Sequence, residues 1–190
     1  MQIRARTGRG SRAPNPGSCG VPLPRTIVEI VSPRSRTLLS AGECGEICVS
    51  GPQVMLGYWR EAEATRNCLI GGRLHTGDLG SMDADGFLYF VDRLKEVISV
   101  HGYKVYPRNV EDAIRQHPAV IDVAVIGVPD PIRGQTPKAY VVLAKGTQLS
   151  EDRLQAFLTD KLSPREIPRL FEFRGELPKS AARKILKRSL

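Results

Sequence analysis

Short β-branched runs dominate the first half of the chain, and longer apolar runs separated by helical patterns dominate the second. Residues 26–31 (TIVEIV) and 45–51 (GEICVSG) are bounded by breakers and read as strands. Residues 61–67 read as a short polar helix, and residues 74–79 and 87–91 as two more short strands linked by the turn Asp83-Ala84-Asp85-Gly86. To about Asp92 the pattern predicts a small antiparallel β unit. After that the texture changes. Residues 96–100 alternate, His101-Gly102 makes a tight turn and residues 103–105 return, which together predict a hairpin. Pro107 opens a helix at a position where its missing N–H is harmless, and Val110, Ala113 and Ile114 recur at helical spacing. Residues 120–128 and 138–144 are strong strands separated by a Pro/Gly-rich loop over 129–137. Ser150 is placed to cap a helix carrying Leu154, Phe157, Leu158 and Leu162, and residues 169–173 form a last strand. The order β-β-α-β-β-α-β predicts a compact α+β domain over residues 96–190, joined to the β unit at a seam over 92–95. Residues 177–187 (LPKSAARKILK) cannot begin as a helix, because Pro178 fixes its own φ and biases Leu177 to extended backbone. Ile185, Leu186 and Leu190 are the anchors of that loop. Gly, Pro and Ser dominate residues 8–24, so the chain opens as an irregular basic arm over residues 1–15.

With 190 residues and 41% hydrophobic content, the chain can bury a core as one domain or two small ones. A net charge of +8 favours anionic partners, but the excess is uneven. Arg4, Arg6, Arg9 and Arg12 open the chain, and Lys179, Arg183, Lys184, Lys187 and Arg188 close it, with no acid in either stretch. The middle is nearly balanced. The five Tyr and five Phe fall mostly at core positions rather than in stacking rows, which argues against nucleic acid as the partner. Cys19, Cys44, Cys48 and Cys68 contain no C-x-x-C pair, and His75, His101 and His117 are not at finger spacing from them. Free thiols in a reducing cytoplasm and no metal site are expected. No apolar run approaches the roughly 18 residues of a membrane span. The arginine-rich opening lacks the apolar face of a transit peptide.

Candidate chemistry sits in four places. His75-Thr76-Gly77-Asp78-Leu79 puts a carboxylate after a glycine at the end of a strand, where it could accept both hydroxyls of a ribose or simply complete a turn. Val91-Asp92-Arg93-Leu94-Lys95-Glu96 is a charged seam that suits either a hinge or a solvated strand end. Residues 99–107 (SVHGYKVYP) centre on a glycine turn. The loop around Lys184 could deliver a lysine to a phosphate or carboxylate, or could be a basic tail.

In this order, together with GSCGVPLP (17–24), GEICVSGPQVMLGYW (45–59) and GFLYFVDR (86–93), these segments resemble the C-terminal part of the adenylate-forming acyl-CoA synthetases. That superfamily also holds the nonribosomal peptide adenylation domains and firefly luciferase. The wording YKVYP (103–107) is most similar to medium- and long-chain fatty-acid–CoA ligases. The resemblance implies that residues 16–92 end a large N-terminal domain, that 92–95 is a hinge and that 96–190 is the mobile lid. It implies ATP/AMP, CoA and Mg2+ as cofactors, with the Mg2+ ligands outside this chain, a fatty acid as co-substrate and a cytoplasmic setting. It further implies that Asp78 and Arg93 bind nucleotide, Lys95 is the hinge residue and Lys184 is catalytic in adenylation. Ser99, His101, Gly102 and Tyr103 would then meet CoA in the thioester-forming step.

Four positions depart from the family pattern: Arg183 stands where glycine usually precedes the lysine, Arg73 where an aromatic is common, Leu94 where lysine or valine follows the arginine, and Asn109 where a first glutamate is usual. The family's phosphate loop is not found; Thr7-Gly8-Arg9-Gly10-Ser11 is Gly-rich without a flanking strand and helix. The chain is therefore expected to be inactive alone. The alternative is a non-catalytic docking or split-enzyme module that complements a separate N-terminal partner.

Overall fold

The computed structural model describes residues 15–190. The arginines of the basic arm and the 7–11 stretch lie outside the described residues. The chain divides into two compact units after Lys95.

The first unit is a five-stranded antiparallel sheet built from β1 (Ile27–Val31), β2 (Gly45–Ser50), β3 (Leu69–Ile70), β4 (Arg73–Met82) and β5 (Leu88–Arg93). β4 is the organising strand and pairs with β2, β3 and β5. Val28, Ile30, Ile47 and Met82 form its core. The helix α1 (Ala62–Cys68) buries no residue, as its polar sequence predicts. The turn 83–86 closes through the Asp83 carboxylate, whose Oδ1 accepts the N–H groups of Asp85 (3.0 Å) and Phe87 (2.9 Å).

One expectation about this unit changes. Thr76-Gly77-Asp78 lies in the middle of β4 rather than at a strand end. Gly77 takes φ +72°, a left-handed value that glycine adopts without penalty, and the pairing of β2 with β4 shifts register across this point. The N–H groups freed by the irregularity find side-chain acceptors, so the strand continues.

In the second unit, β6 (Ile98–Val100) and β7 (Tyr103–Val105) form the expected hairpin. His101 (φ +50°) and Gly102 (φ +77°) supply the two left-handed residues that a tight two-residue turn requires. The remaining elements are α2 (Pro107–Arg115), β8 (Val120–Asp130), β9 (Gly134–Leu143), α3 (Glu151–Leu158) and β10 (Leu170–Arg174). Ser150 caps α3, its Oγ accepting the N–H of Arg153 at 3.3 Å.

β8 and β9 are apolar at consecutive positions because both faces of their sheet are covered. On one face Val123, Val125, Ala139 and Val141 pack against Val110 and Ile114 of α2 and Leu154 and Leu158 of α3, all at 0% exposure. On the other, Ala124, Tyr140 and Val142 are covered by Leu177, Ile185 and Leu190. The lysine-bearing segment is thus a layer of the fold, not a free tail.

One expectation is corrected here. The 129–137 loop shrinks to three residues, because β8 and β9 run through Pro129 and Pro137 and pair as far as Asp130↔Gly134. Asp130 Oδ1 accepts the N–H groups of Ile132 and Arg133, both at 2.9 Å, and so closes the turn itself. β10 pairs parallel to β9, so this sheet is mixed.

Candidate functional site

The eight residues singled out in the sequence fall into two groups, one in each unit. In the first unit, Thr76, Gly77, Asp78, Arg93, Leu94 and Lys95 line an open cleft of about 290 Å³. Asp78 and Arg93 face each other across the β4–β5 ladder, with Arg93 Nε 3.4 Å from Asp78 Oδ1. Arg93 is exposed and Asp78 half-buried, so their ion pair contributes about 1 kcal/mol at most and both groups remain open to a ligand. A carboxylate beside a guanidinium suits a diol next to a phosphate. Lys95 lies in a one-turn 3-10 helix, Leu94–Glu96, and is exposed.

A part-buried network holds Asp78. Glu46 is 8% exposed; its Oε2 meets His75 Nδ1 at 2.8 Å and its Oε1 accepts the Gly77 N–H at 3.1 Å. Thr76 Oγ1 donates to the Ile47 carbonyl (2.7 Å) and accepts the Asp78 N–H (3.1 Å). Glu46 was not legible as functional. Its position in an alternating strand shows which face it occupies but not that a glycine N–H on the neighbouring strand needs an acceptor.

Glu46, Cys48 and His75 also present ligand atoms within 4.8 Å of one another. The set does not fit Mg2+, which requires oxygen ligands, and both Glu46 oxygens are already bonded. Burial, reinforced by the Glu46 charge, pushes the Cys48 thiol up to about 12. All four cysteines are free, Cys19 and Cys44 being exposed.

The second unit carries the other group. Ser99, His101, Gly102 and Tyr103 are exposed on the β6–β7 hairpin, while Ile98, Val100 and Val105 are buried beneath it. The hairpin is tied to the neighbouring turn, with His101 N–H donating to the Arg133 carbonyl (2.9 Å) and Ser99 N–H to Gln135 Oε1 (2.9 Å). A Cβ built on Gly102 would meet nothing within 4 Å, so the backbone there is open to a ligand.

Lys184 is exposed and leaves a three-residue loop, Ala181-Ala182-Arg183. Ser180 N–H donates to the Lys184 carbonyl (2.8 Å) and Arg183 N–H to the Ser180 carbonyl (2.8 Å). A bridge between Lys179 and Ile185 continues the closure. Arg183 has φ +58°, the left-handed value that glycine would take at no cost. Two of the other departures have plain local settings. Arg73 Nε pairs with the buried Glu29 at 3.1 Å, and Asn109 is exposed on α2 while Glu111 is buried.

Comparisons with known proteins bear on the family of the chain. The family AMP-binding enzyme C-terminal domain matches residues 109–184, and the family AMP-binding enzyme matches residues 5–59. The chain belongs to the adenylate-forming, AMP-binding enzymes and corresponds to their C-terminal portion.

Among its relatives is the long-chain-fatty-acid–CoA ligase of Bacillus subtilis (strain 168), 49% identical over 175 residues, which cover 92% of this chain and 31% of that protein. Among solved structures, the amide bond synthetase McbA from Marinactinospora thermotolerans superimposes with a TM-score of 0.82 at 42% identity, over 91% of this chain and 35% of that one. The o-succinylbenzoate CoA synthetase of Bacillus subtilis, in complex with its acyl-adenylate intermediate, gives 0.84 at 36% identity, over 90% and 35%. The chain therefore spans about a third of the length of the relatives it matches.

Proposed function

We propose that this chain supplies the lid and the ribose-binding edge of an ATP-dependent acyl-CoA ligase acting on a medium- or long-chain fatty acid. The observation that carries the reading is the cleft in which Asp78 and Arg93 stand opposed at 3.4 Å with Lys95 on its rim. The similarity to the Bacillus subtilis long-chain ligase supports the substrate class.

The reaction has two halves. The fatty carboxylate attacks the α-phosphorus of ATP and releases pyrophosphate; the CoA thiolate then attacks the acyl carbonyl and releases AMP. Asp78 accepts the ribose hydroxyls, and the Arg93 guanidinium lies against ribose or phosphate. Lys184 meets the oxygens of the attacking carboxylate and the α-phosphate, where negative charge builds. A cation fixed at that point before the reaction needs no reorganisation during it. The second unit then turns about Lys95 and presents the 99–104 hairpin, where Gly102 lets the pantetheine thread pass close to backbone.

Adenylation also needs a phosphate-binding domain, which the family resemblance assigns to a large N-terminal domain outside the roughly one-third of the relatives' length that this chain spans. Leu56 and Trp59 are 101% and 84% exposed, an apolar surface that suits burial against that domain, whether in one polypeptide or as a separate partner.

The test joins this chain to the large domain of the Bacillus subtilis relative and measures pyrophosphate release with palmitate and ATP. Lys184→Ala is expected to lower the rate on the order of 100-fold, and Asp78→Ala to raise the KM for ATP. CoA and a simple amine are compared as acceptors, because an amide bond synthetase is among the similar structures. Wild-type rates in Lys184→Ala, or preference for the amine, would overturn the reading.

A further inference from the structure

The segment that carries Lys184 is held by a second lysine, three residues on, for which the reaction has no evident use. Lys187 Nζ lies 2.8 Å from Glu111 Oε1 and 3.0 Å from Glu96 Oε2, with only 21% of its side chain exposed. Glu111 is itself buried on α2; Oε1 also accepts the Val125 N–H of β8 at 2.8 Å, and Arg115 approaches Oε2 at 3.6 Å. Glu96 closes the 3-10 turn that contains Lys95. One ammonium thus gathers the turn after the seam, helix α2 and, through Glu111, central strand β8.

Burying a lysine between two carboxylates is an inefficient way to gain stability, since desolvation takes back most of the attraction. What such a cluster does well is fix position. Burial works against the Lys187 charge, yet Glu111 and Glu96 outweigh it and hold the ammonium above its ordinary pKa range. It therefore remains charged at neutral pH.

The rest of the segment is anchored in the same sense. Lys179 Nζ meets Asp122 Oδ2 at 2.6 Å, Tyr140 Oη donates to the Leu190 carbonyl at 3.2 Å, and Leu177, Ile185 and Leu190 pack on the sheet. Among the described residues, Lys179 and Lys187 fasten the segment, whereas Lys184, like its neighbours Arg183 and Arg188, is exposed and forms no ion pair.

We propose that Lys187 is a positioning residue: clamped by Glu111 and Glu96, it seats the Lys184 loop and ties it to the turn at Lys95, so that rotation there carries Lys184 as part of a rigid body. This rests on the reading of Lys184 given above and adds to it a link between lysine and hinge. Without the clamp the loop retains its backbone hydrogen bonds but loses its tether to α2 and to the turn.

Two measurements test the clamp. In the first, amide exchange is followed in this chain for wild type, Lys187→Met, Glu111→Gln and Lys187→Arg. Lys187→Met and Glu111→Gln should speed exchange at Ser180 and Arg183 on the order of tenfold while Val123 and Val141 in the core stay as they were, and Lys187→Arg should restore protection. Unchanged loop exchange overturns the clamp, and so does an equal rise across the whole unit, which would mark Lys187 as merely structural.

In the second, the joined ligase carrying Lys187→Met should lose kcat in adenylation on the order of tenfold with the KM for ATP unchanged, and Lys187→Arg should recover it. An unchanged kcat, or a loss confined to KM, overturns the link to Lys184. The two readings fail separately. If Lys184→Ala leaves adenylation intact, the catalytic reading falls while the exchange result stands; if Lys187→Met leaves the loop protected, the clamp falls and Lys184 keeps its role.

Discussion

Arg183→Gly is expected to stabilise the second unit, although it removes a long side chain. Arg183 sits at φ +58°, where a residue with a Cβ crowds its own carbonyl at a cost of roughly 1–2 kcal/mol. Glycine removes that cost but gains freedom in the unfolded chain, which takes back roughly 0.4–1 kcal/mol. The guanidinium is exposed, so little packing is lost with it. The net gain is about 0.5–1 kcal/mol. With a urea slope of roughly 1–3 kcal/mol/M for a small unit, the midpoint should rise by about 0.5 M. The transition is best followed by amide signals of β8 and β9, because the single Trp, Trp59, lies in the first unit. Two controls frame the result. Arg183→Ala keeps the strain and should leave the midpoint unchanged. Arg183→Pro cannot adopt the angle and loses the N–H donated to Ser180, so it should destabilise. A glycine variant with a midpoint equal to or below wild type would show that the left-handed residue carries no removable strain.

The Cys48 thiol, pushed up to about 12, stays protonated at pH 8 and should resist maleimide, while exposed Cys19 and Cys44 label within minutes; rapid labelling of all three would contradict the burial described. Thr136 is 4% exposed and its Oγ1 lacks a hydrogen-bond partner among the described residues, so Thr136→Val should raise stability by about 1 kcal/mol; a loss of that size in calorimetry would mean the hydroxyl is satisfied after all.

Alternation and breakers were enough to outline most strands, and the three α-helices and two sheets of the described residues follow from them. β-branched runs between turns have few other ways to bury their side chains. The failures have local causes. Pro129 and Pro137 read as loop residues, but their fixed φ is compatible with extended backbone, and Asp130 closed the turn in a way that needs knowledge of where the chain doubles back. Gly77 read as a strand end, because a left-handed residue inside a ladder is sustained only by acceptors from elsewhere, here Glu46 and Thr76.

The candidate site divides along the same line. Asp78 and Arg93 belong to contiguous motifs, and the pairing of β4 with β5 brings them together. Glu111 and Lys187 are 76 positions apart and look like surface charges on a helix and a basic segment. Only the packing of residues 177–190 on the second face of the sheet makes them a pair.

The central claim is that one small unit serves two half-reactions with different residues. It is tested by measuring both halves separately in the joined ligase: adenylation by pyrophosphate release, and thioester formation from preformed acyl-adenylate and CoA. Lys184→Ala should lower the first on the order of 100-fold and spare the second, whereas Gly102→Val should spare the first and impair the second. If each variant lowers both halves to the same extent, the two residues act through a shared scaffold and the account is wrong.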